Sequence, residues 1–202
     1  MGLPKKTSNI VYPPIILLAD LVLIGILILS LILFVTMMTS LILFVPYVPS
    51  PMKVVEFMIG KANLKGNETV YDLGCGDARL LITAKKQYPN IRAIGYELPL
   101  GVWMLAKIRV LLSKQDVTVR LGNFLRANLS DADVILLYLI PEVMPKLQKK
   151  LEAELKKGTR IISHGFELPD RKPVLVERCP LPSWHLFKPK GKEGPRVYVY
   201  EW

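Results

Sequence analysis

The chain has 202 residues, 27 Lys+Arg against 17 Asp+Glu and a net charge of +10. That length holds one domain of ordinary size plus an appendage, and two cysteines, Cys75 and Cys179, exclude a disulfide framework and suit a reducing compartment. The basic residues are scattered rather than grouped with aromatics. This disfavours a nucleic-acid partner; a solvated surface is the plainer reading, and anionic lipid or an acidic partner the other for a domain of this sign.

Between Lys6 and Lys53 the only charged residue is Asp20. The uncharged run Leu21–Val45 would extend about 37 Å as a helix, more than the ~30 Å hydrocarbon core of a bilayer. One tilted transmembrane helix is therefore expected, with lipid contact over residues 15–45 and Asp20 near the headgroups. A cleaved signal peptide is disfavoured, because the apolar core is too long and no small-residue cleavage site follows. Lys5 and Lys6 flank one side, and Lys53, Lys61 and Lys65 the other. This bias leans toward a cytoplasmic C-terminal domain. The prolines of "VPYVPSP" (45–51) end the span, dividing the chain into an anchor, 1–45, and a domain, 46–202.

A helix is predicted over Pro51–Ala62, with Val54, Val55, Met58 and Ile59 at helical spacing. Strands are predicted at Glu68–Leu73, Ile91–Tyr96, Val117–Leu121, Val134–Leu139 and Thr159–Ser163. Helices are expected between them at Asp77–Tyr88, Leu100–Leu112 and Pro141–Lys156, the last stopping at Gly158, with only a short turn near Phe124–Ala127. Strands alternating with helices indicate an α/β domain around a buried parallel sheet. After Gly165 the segments "PVLVERC", "WHLF" and "RVYVYEW" are strand-like, and two of them are expected to pair antiparallel at the end of the sheet.

In such a sheet, ligands sit beyond the carboxyl ends of the strands, over the first strand–helix turn. Here that turn reads "VYDLGCGDARLL". Gly74 and Gly76 permit a sharp turn and close approach of a ligand. Asp77 is expected to cap the following helix. A dinucleotide fingerprint needs a small residue where Arg79 stands, and a P-loop needs Gly-Lys-Ser/Thr; neither fits. An acid two residues before the first glycine, Asp72, would repel a pyrophosphate but suits the ammonium of a methionine moiety. Glu97, ending the next strand, is placed to accept both hydroxyls of a ribose.

The strings "VYDLGCGDARLL" and "AIGYEL" resemble motifs I and II of the class I S-adenosylmethionine-dependent methyltransferases. The blocks "YVPSPMKVVEFMI", "GYEL…VWMLAKIR", "YLIPEVMPKLQKKLEAEL" and "TRIISHGFELP" run in the order found in the small membrane-anchored lysine methyltransferases. In mitochondria, members of that family modify the ATP synthase c-subunit and the adenine nucleotide translocase. The resemblance covers residues 46–202. It implies a Rossmann-like, mostly parallel seven-stranded sheet with an antiparallel C-terminal strand, preceded by one transmembrane helix. It also implies S-adenosylmethionine as cofactor and a membrane-protein substrate, with the domain facing the cytosol or a mitochondrial matrix.

Asp72, Gly74, Cys75, Gly76, Glu97, Asn123 and Phe124 are the expected cofactor contacts. Asn123 replaces an acid common in the family, and Ala78 replaces a glycine. The loop after the fourth strand faces the methyl group in related enzymes, which nominates Tyr138, Pro141 and Glu142 as catalytic. Tyr47 and Ser50 lie in a stretch that folds over the cofactor in the family. Cys75 is expected to be a small spacer rather than a nucleophile, and His164 a hydrogen-bonded structural histidine. His185 and Cys179 match no metal-ligand spacing. A lipid or isoprenoid acceptor, or a non-catalytic cofactor-binding module, remain the alternatives.

Overall fold

A computed structural model describes residues 14–43, 47–180 and 194–202. In chain order they form α1 (Pro14–Leu43), α2 (Met52–Ala62), β1 (Thr69–Leu73), α3 (Arg79–Gln87), β2 (Arg92–Glu97), α4 (Leu100–Ser113), β3 (Val117–Leu121), β4 (Val134–Leu137), α5 (Met144–Glu154), β5 (Arg160–His164), β6 (Leu175–Arg178) and β7 (Arg196–Glu201). One seven-stranded sheet runs β3-β2-β1-β4-β5-β7-β6. The strands β1 to β5 pair in parallel, and β7 is antiparallel to both β5 and β6. The order reverses at β1, so the crevice at its carboxyl end is the topological switch point.

Alternation along the strands builds two cores. Val70, Ala93, Val134 and Ile162 face α2 and α3, while Tyr71, Ile94, Ile135 and Ile161 face α5. The inner strands β1, β2, β4 and β5 are thus buried on both sides, as continuous apolar runs in a parallel sheet require, while the edge strands β3 and β6 stay largely exposed. The β3–β4 connection carries only a 3-10 turn, Phe124–Arg126, in place of a crossover helix. Gly95 in β2 has a packing reason. A Cβ there would lie 2.6 Å from Cys75 Sγ and 2.9 Å from a Leu81 methyl.

Boundaries of β4, α5 and α3 shift from the sequence expectation by two residues or more. β4 stops at Leu137 rather than Leu139, and the next helix begins at Met144 after a 3-10 turn at Pro141–Val143. Pro141 and Pro145 lack the N–H that would continue a ladder, so the chain turns twice there. That helix ends at Glu154, four residues before Gly158. The helix expected from Asp77 starts at Arg79, because Ala78 takes the left-handed conformation (φ 62°) and supplies no side-chain cap. Left-handed backbone costs an L-residue about 1–2 kcal/mol. Burial of the Ala78 methyl, worth ~0.8 kcal/mol, offsets part of that. "PVLVERC" and "RVYVYEW" supply the antiparallel pair; "WHLF", with His185, lies outside the described residues.

The apolar N-terminal run forms one helix, whose stretch Ile15–Thr39 is long and apolar enough to cross a membrane. Its side chains are mostly exposed, with Ile32 and Thr36 partly covered. It touches the domain at α4, where the Gly101 N–H donates to Thr36 Oγ1 at 2.8 Å.

Candidate active site

The turn after β1 is held from below. Gly74 N–H and Cys75 N–H both donate to the Tyr96 carbonyl, at 2.9 and 3.0 Å. Gly74 (φ 80°) and Gly76 (φ 56°) take backbone conformations that favour glycine. A Cβ on Gly74 would also meet a Leu139 methyl at 2.9 Å, and one on Gly76 the Tyr47 ring at 3.0 Å. The Cys75 side chain is buried beneath the loop against Gly95, and burial pushes its thiol pKa well up. A thiol that is buried and held protonated is a poor nucleophile.

Asp72 is 1% exposed, and its Oδ2 has no hydrogen-bond partner among the described residues. Burial raises its pKa well above the usual carboxylate range, and the nearby Glu97 and Asp77 charges raise it further. An orphaned buried carboxylate oxygen is costly unless a donor or cation meets it. Here it lines a hollow with Tyr47, Ser50, Gly74, Gly76 and Tyr138. The site therefore fits the ammonium of an amino-acid moiety. Glu97, at the end of β2, accepts Gly76 N–H at 2.7 Å on Oε2 and Leu98 N–H at 3.0 Å on Oε1. Burial raises its pKa, and these two bonds oppose the rise. Each oxygen keeps a further lone pair, so the carboxylate can still accept two hydroxyls.

Beyond Glu97 lies a cleft of about 910 Å³ lined by Asn123, Phe124, Leu139, Pro141, Glu142 and neighbours. Asn123 Oδ1 accepts Leu125 N–H at 2.9 Å, capping the 3-10 turn and leaving the amide NH2 to donate. Gly74, Glu97 and Leu139 border both the hollow and the cleft. The nominated catalytic trio is divided between them. Tyr138 lines the Asp72 side, whereas Pro141 and Glu142 are exposed on the Phe124 side.

A network invisible in the sequence covers the loop. Asp77 is buried and accepts from Arg79 Nε and Nη2, at 2.8 and 2.7 Å, and pairs with Arg109 of α4. Arg79 Nη1 donates to the Ser50 carbonyl at 2.7 Å. Burial pushes the Asp77 pKa up, but its bonds to Arg79 and the charges of Arg79 and Arg109 outweigh this and hold it low. Asp77 does not act as the helix N-cap, although its Oδ1 reaches Arg79 N–H at 3.3 Å. It instead clamps residues 47–50 over Gly76. The linking residue is Arg79, at the position where a dinucleotide fold needs a small side chain. Arg109 carried no local sequence signal, lying 32 residues from its partner.

His164 lies under the same strap. Its Nδ1 shares a 3.4 Å hydrogen bond with Ser50 Oγ, and its ring sits 4.1 Å from that of Tyr138. Burial lowers its pKa from 6.5 to about 4. The native imidazole thus stays neutral between pH 6.5 and 4, where the unfolded chain takes up a proton. The resulting stability is complete above pH 6.5 and is lost as pH falls through this window, by about 3 kcal/mol. Stability measured against pH for His164→Gln should lack this part of the acid slope; an unchanged slope would show that the imidazole is not held neutral.

Residues 72–175 match the ANTKMT methyltransferase domain. The chain is 41% identical over 127 residues to a protein-lysine N-methyltransferase of Saccharolobus islandicus, covering 61% of this chain and 78% of that protein. It is 33% identical over 158 residues to the mouse adenine nucleotide translocase lysine N-methyltransferase, covering 77% of this chain but only 62% of that relative. Among solved structures, an RNA methyltransferase from Salinibacter ruber in complex with S-adenosyl-L-homocysteine aligns with TM-score 0.66 and 29% identity. That alignment covers 76% of this chain and 93% of the other. With the switch-point turn, the orphaned Asp72 and the acid ending β2, these similarities make the chain a member of the ANTKMT methyltransferase domain family, an S-adenosylmethionine-dependent methyltransferase.

Proposed function

We propose that the chain is a membrane-anchored protein-lysine methyltransferase, with residues 1–45 as anchor and 46–202 as catalytic domain, acting on a lysine of a membrane protein. The hydrogen bond between Thr36 of α1 and Gly101 of α4 carries the membrane part of this reading. Gly101 lies four residues beyond Glu97, so the site stands within short reach of the end of the apolar helix. A shared membrane raises the effective concentration of an embedded substrate. The relatives named for lysine methylation support the choice of acceptor.

Asp72 would hold the cofactor's ammonium, Glu97 its ribose hydroxyls, and Asn123 and Phe124 its adenine, over the backbone of Gly74, Cys75 and Gly76. When bound, S-adenosylmethionine supplies an electrophilic methyl on a sulfonium. The protein's share is alignment of the acceptor and its deprotonation. Neutralising a lysine of unperturbed pKa ~10.4 costs about 4.6 kcal/mol at pH 7. The apolar rim of Leu139, Ile140 and Pro141 lowers that cost by desolvating the ammonium. Glu142, on the same rim, accepts the amine's proton.

Membranes incubated with enzyme and radiolabelled methyl donor should carry label in a protein band, on lysine. Label in the organic extract would replace the protein acceptor with a lipid, and no label would leave only a binding module. Glu142→Ala should lower turnover by about 10²-fold with cofactor affinity unchanged; unchanged turnover would remove Glu142 from the chemistry.

A further inference from the structure

α4 carries two apolar faces. Val102 and Ala106 are buried against the domain. At ~3.6 residues per turn, Leu105, Ile108, Leu111 and Leu112 form a second stripe on the outer side, which stays exposed beyond the contact with α1. Leu111 and Leu112 are 77% and 76% exposed. An outward stripe of large aliphatic side chains on one helix of a soluble domain needs an occupant.

Three observations identify that occupant as lipid. The stripe is continuous with the contact made by the apolar helix. Gly101 lies on the same outer side of α4, and it is there that Thr36, near the end of the span-length stretch Ile15–Thr39, is bonded. The charge is complementary to an anionic surface. Lys107 and Lys114 are exposed, no acidic residue lies within α4, and the chain carries +10. Arg109 is already paired with Asp77, and Asp116, just past the helix, is 3.9 Å from Lys85. Finally, Lys107 and Lys114 border a hollow of about 450 Å³ beside Ile108 and Leu111, with room for a headgroup above the aliphatic stripe. Basic residues flanking an aliphatic face are the pattern of a helix lying in a membrane interface.

We propose that α4 lies in the surface of an anionic bilayer, with Leu105, Ile108, Leu111 and Leu112 below the headgroups and Lys107 and Lys114 on the anionic groups of the lipids. This rests on the reading of α1 as a membrane anchor. Two contacts, α1 and α4, then fix the tilt of the domain, and the Glu97–Pro99 rim of the cleft is held at the membrane face.

The test uses the full chain in phosphatidylcholine vesicles with and without phosphatidylglycerol. An environment-sensitive fluorophore is placed on Leu111→Cys in α4, Leu27→Cys in α1 or Lys149→Cys on the opposite side of the sheet. Both native cysteines are buried, and labelling of the parent chain gives the background. Nitroxide-bearing lipids should quench positions 111 and 27 but not 149, with position 111 dependent on phosphatidylglycerol. Neutralising Lys107 and Lys114 together as glutamines should shift the immersed-to-exposed ratio at position 111 roughly 30-fold toward exposed. Quenching at 27 without quenching at 111 overturns the proposal while leaving the anchor intact. Quenching at neither overturns both. A protected but unquenched fluorophore at 111, cross-linking to a second copy or to another protein, overturns it in favour of a protein occupant. Equal quenching without phosphatidylglycerol overturns the role of the lysines.

Discussion

Asp72→Asn is expected to make the cofactor-free protein more stable and its cofactor binding much weaker. The carboxyl group is buried and one oxygen has no partner, so ionising it in the empty protein leaves an uncompensated charge. Removing it relieves about 1–3 kcal/mol of desolvation cost, a rise of a few degrees in melting temperature for a chain of this size. In the proposed site the same change removes the counter-charge for the cofactor's ammonium. Breaking a buried ion pair by deleting one partner costs ~3 kcal/mol or more, about a 10²-fold loss of affinity. The pH sign follows from the raised pKa. The native Asp72 keeps its proton to higher pH than the unfolded chain does, so its penalty is absent in acid and grows as pH rises past the usual carboxylate range. The stability gain of the variant should therefore grow as pH rises and vanish on acidification. Thermal unfolding with and without cofactor separates the two effects; a variant less stable without cofactor would show that Asp72 is paired internally.

Asp77→Asn should behave in the opposite way. Here the buried carboxylate is fully used, by Arg79, Arg109 and the strap they hold. Losing it leaves two guanidinium groups facing a neutral amide, and both arginines reach solvent enough to soften the loss. The expected destabilisation is about 2–3 kcal/mol. The native pKa is depressed, so the stabilisation is present above the usual carboxylate range and disappears as pH falls through the lowered value. Tyr47 lies against Gly76 and Ser50 is tied to Arg79, so a loosened strap should also release cofactor faster. The readouts are unfolding free energy and cofactor dissociation rate. Loss of stability with an unchanged dissociation rate would confine the network to a structural role.

The parallel sheet and the antiparallel finish followed from alternating apolar segments, with strands displaced by no more than two residues, whereas the strand order around β1 came only with the assembled sheet. The helix starts were less legible. Asp77 reads as an N-cap and Pro141 as a helix start, yet a left-handed Ala78 delays α3 and a pair of prolines delays α5. Those outcomes depend on packing. Ala78 sits in its left-handed conformation with its methyl buried, and Leu139 packs over Gly74 where the prolines turn the chain.

The cofactor class and the apolar helix are legible in the residues alone. Both are encoded locally, the first in the spacing of Asp72, Gly74, Gly76 and Glu97 and the second in the uncharged run Leu21–Val45. It took the assembled sheet to leave Asp72 Oδ2 without a partner among the described residues, to close Arg109 on Asp77 across 32 residues, and to dock α1 on α4 through Thr36 and Gly101. Desolvation and long-range ion pairing depend on what surrounds a side chain once the sheet has assembled, and no local pattern of residue types carries that information.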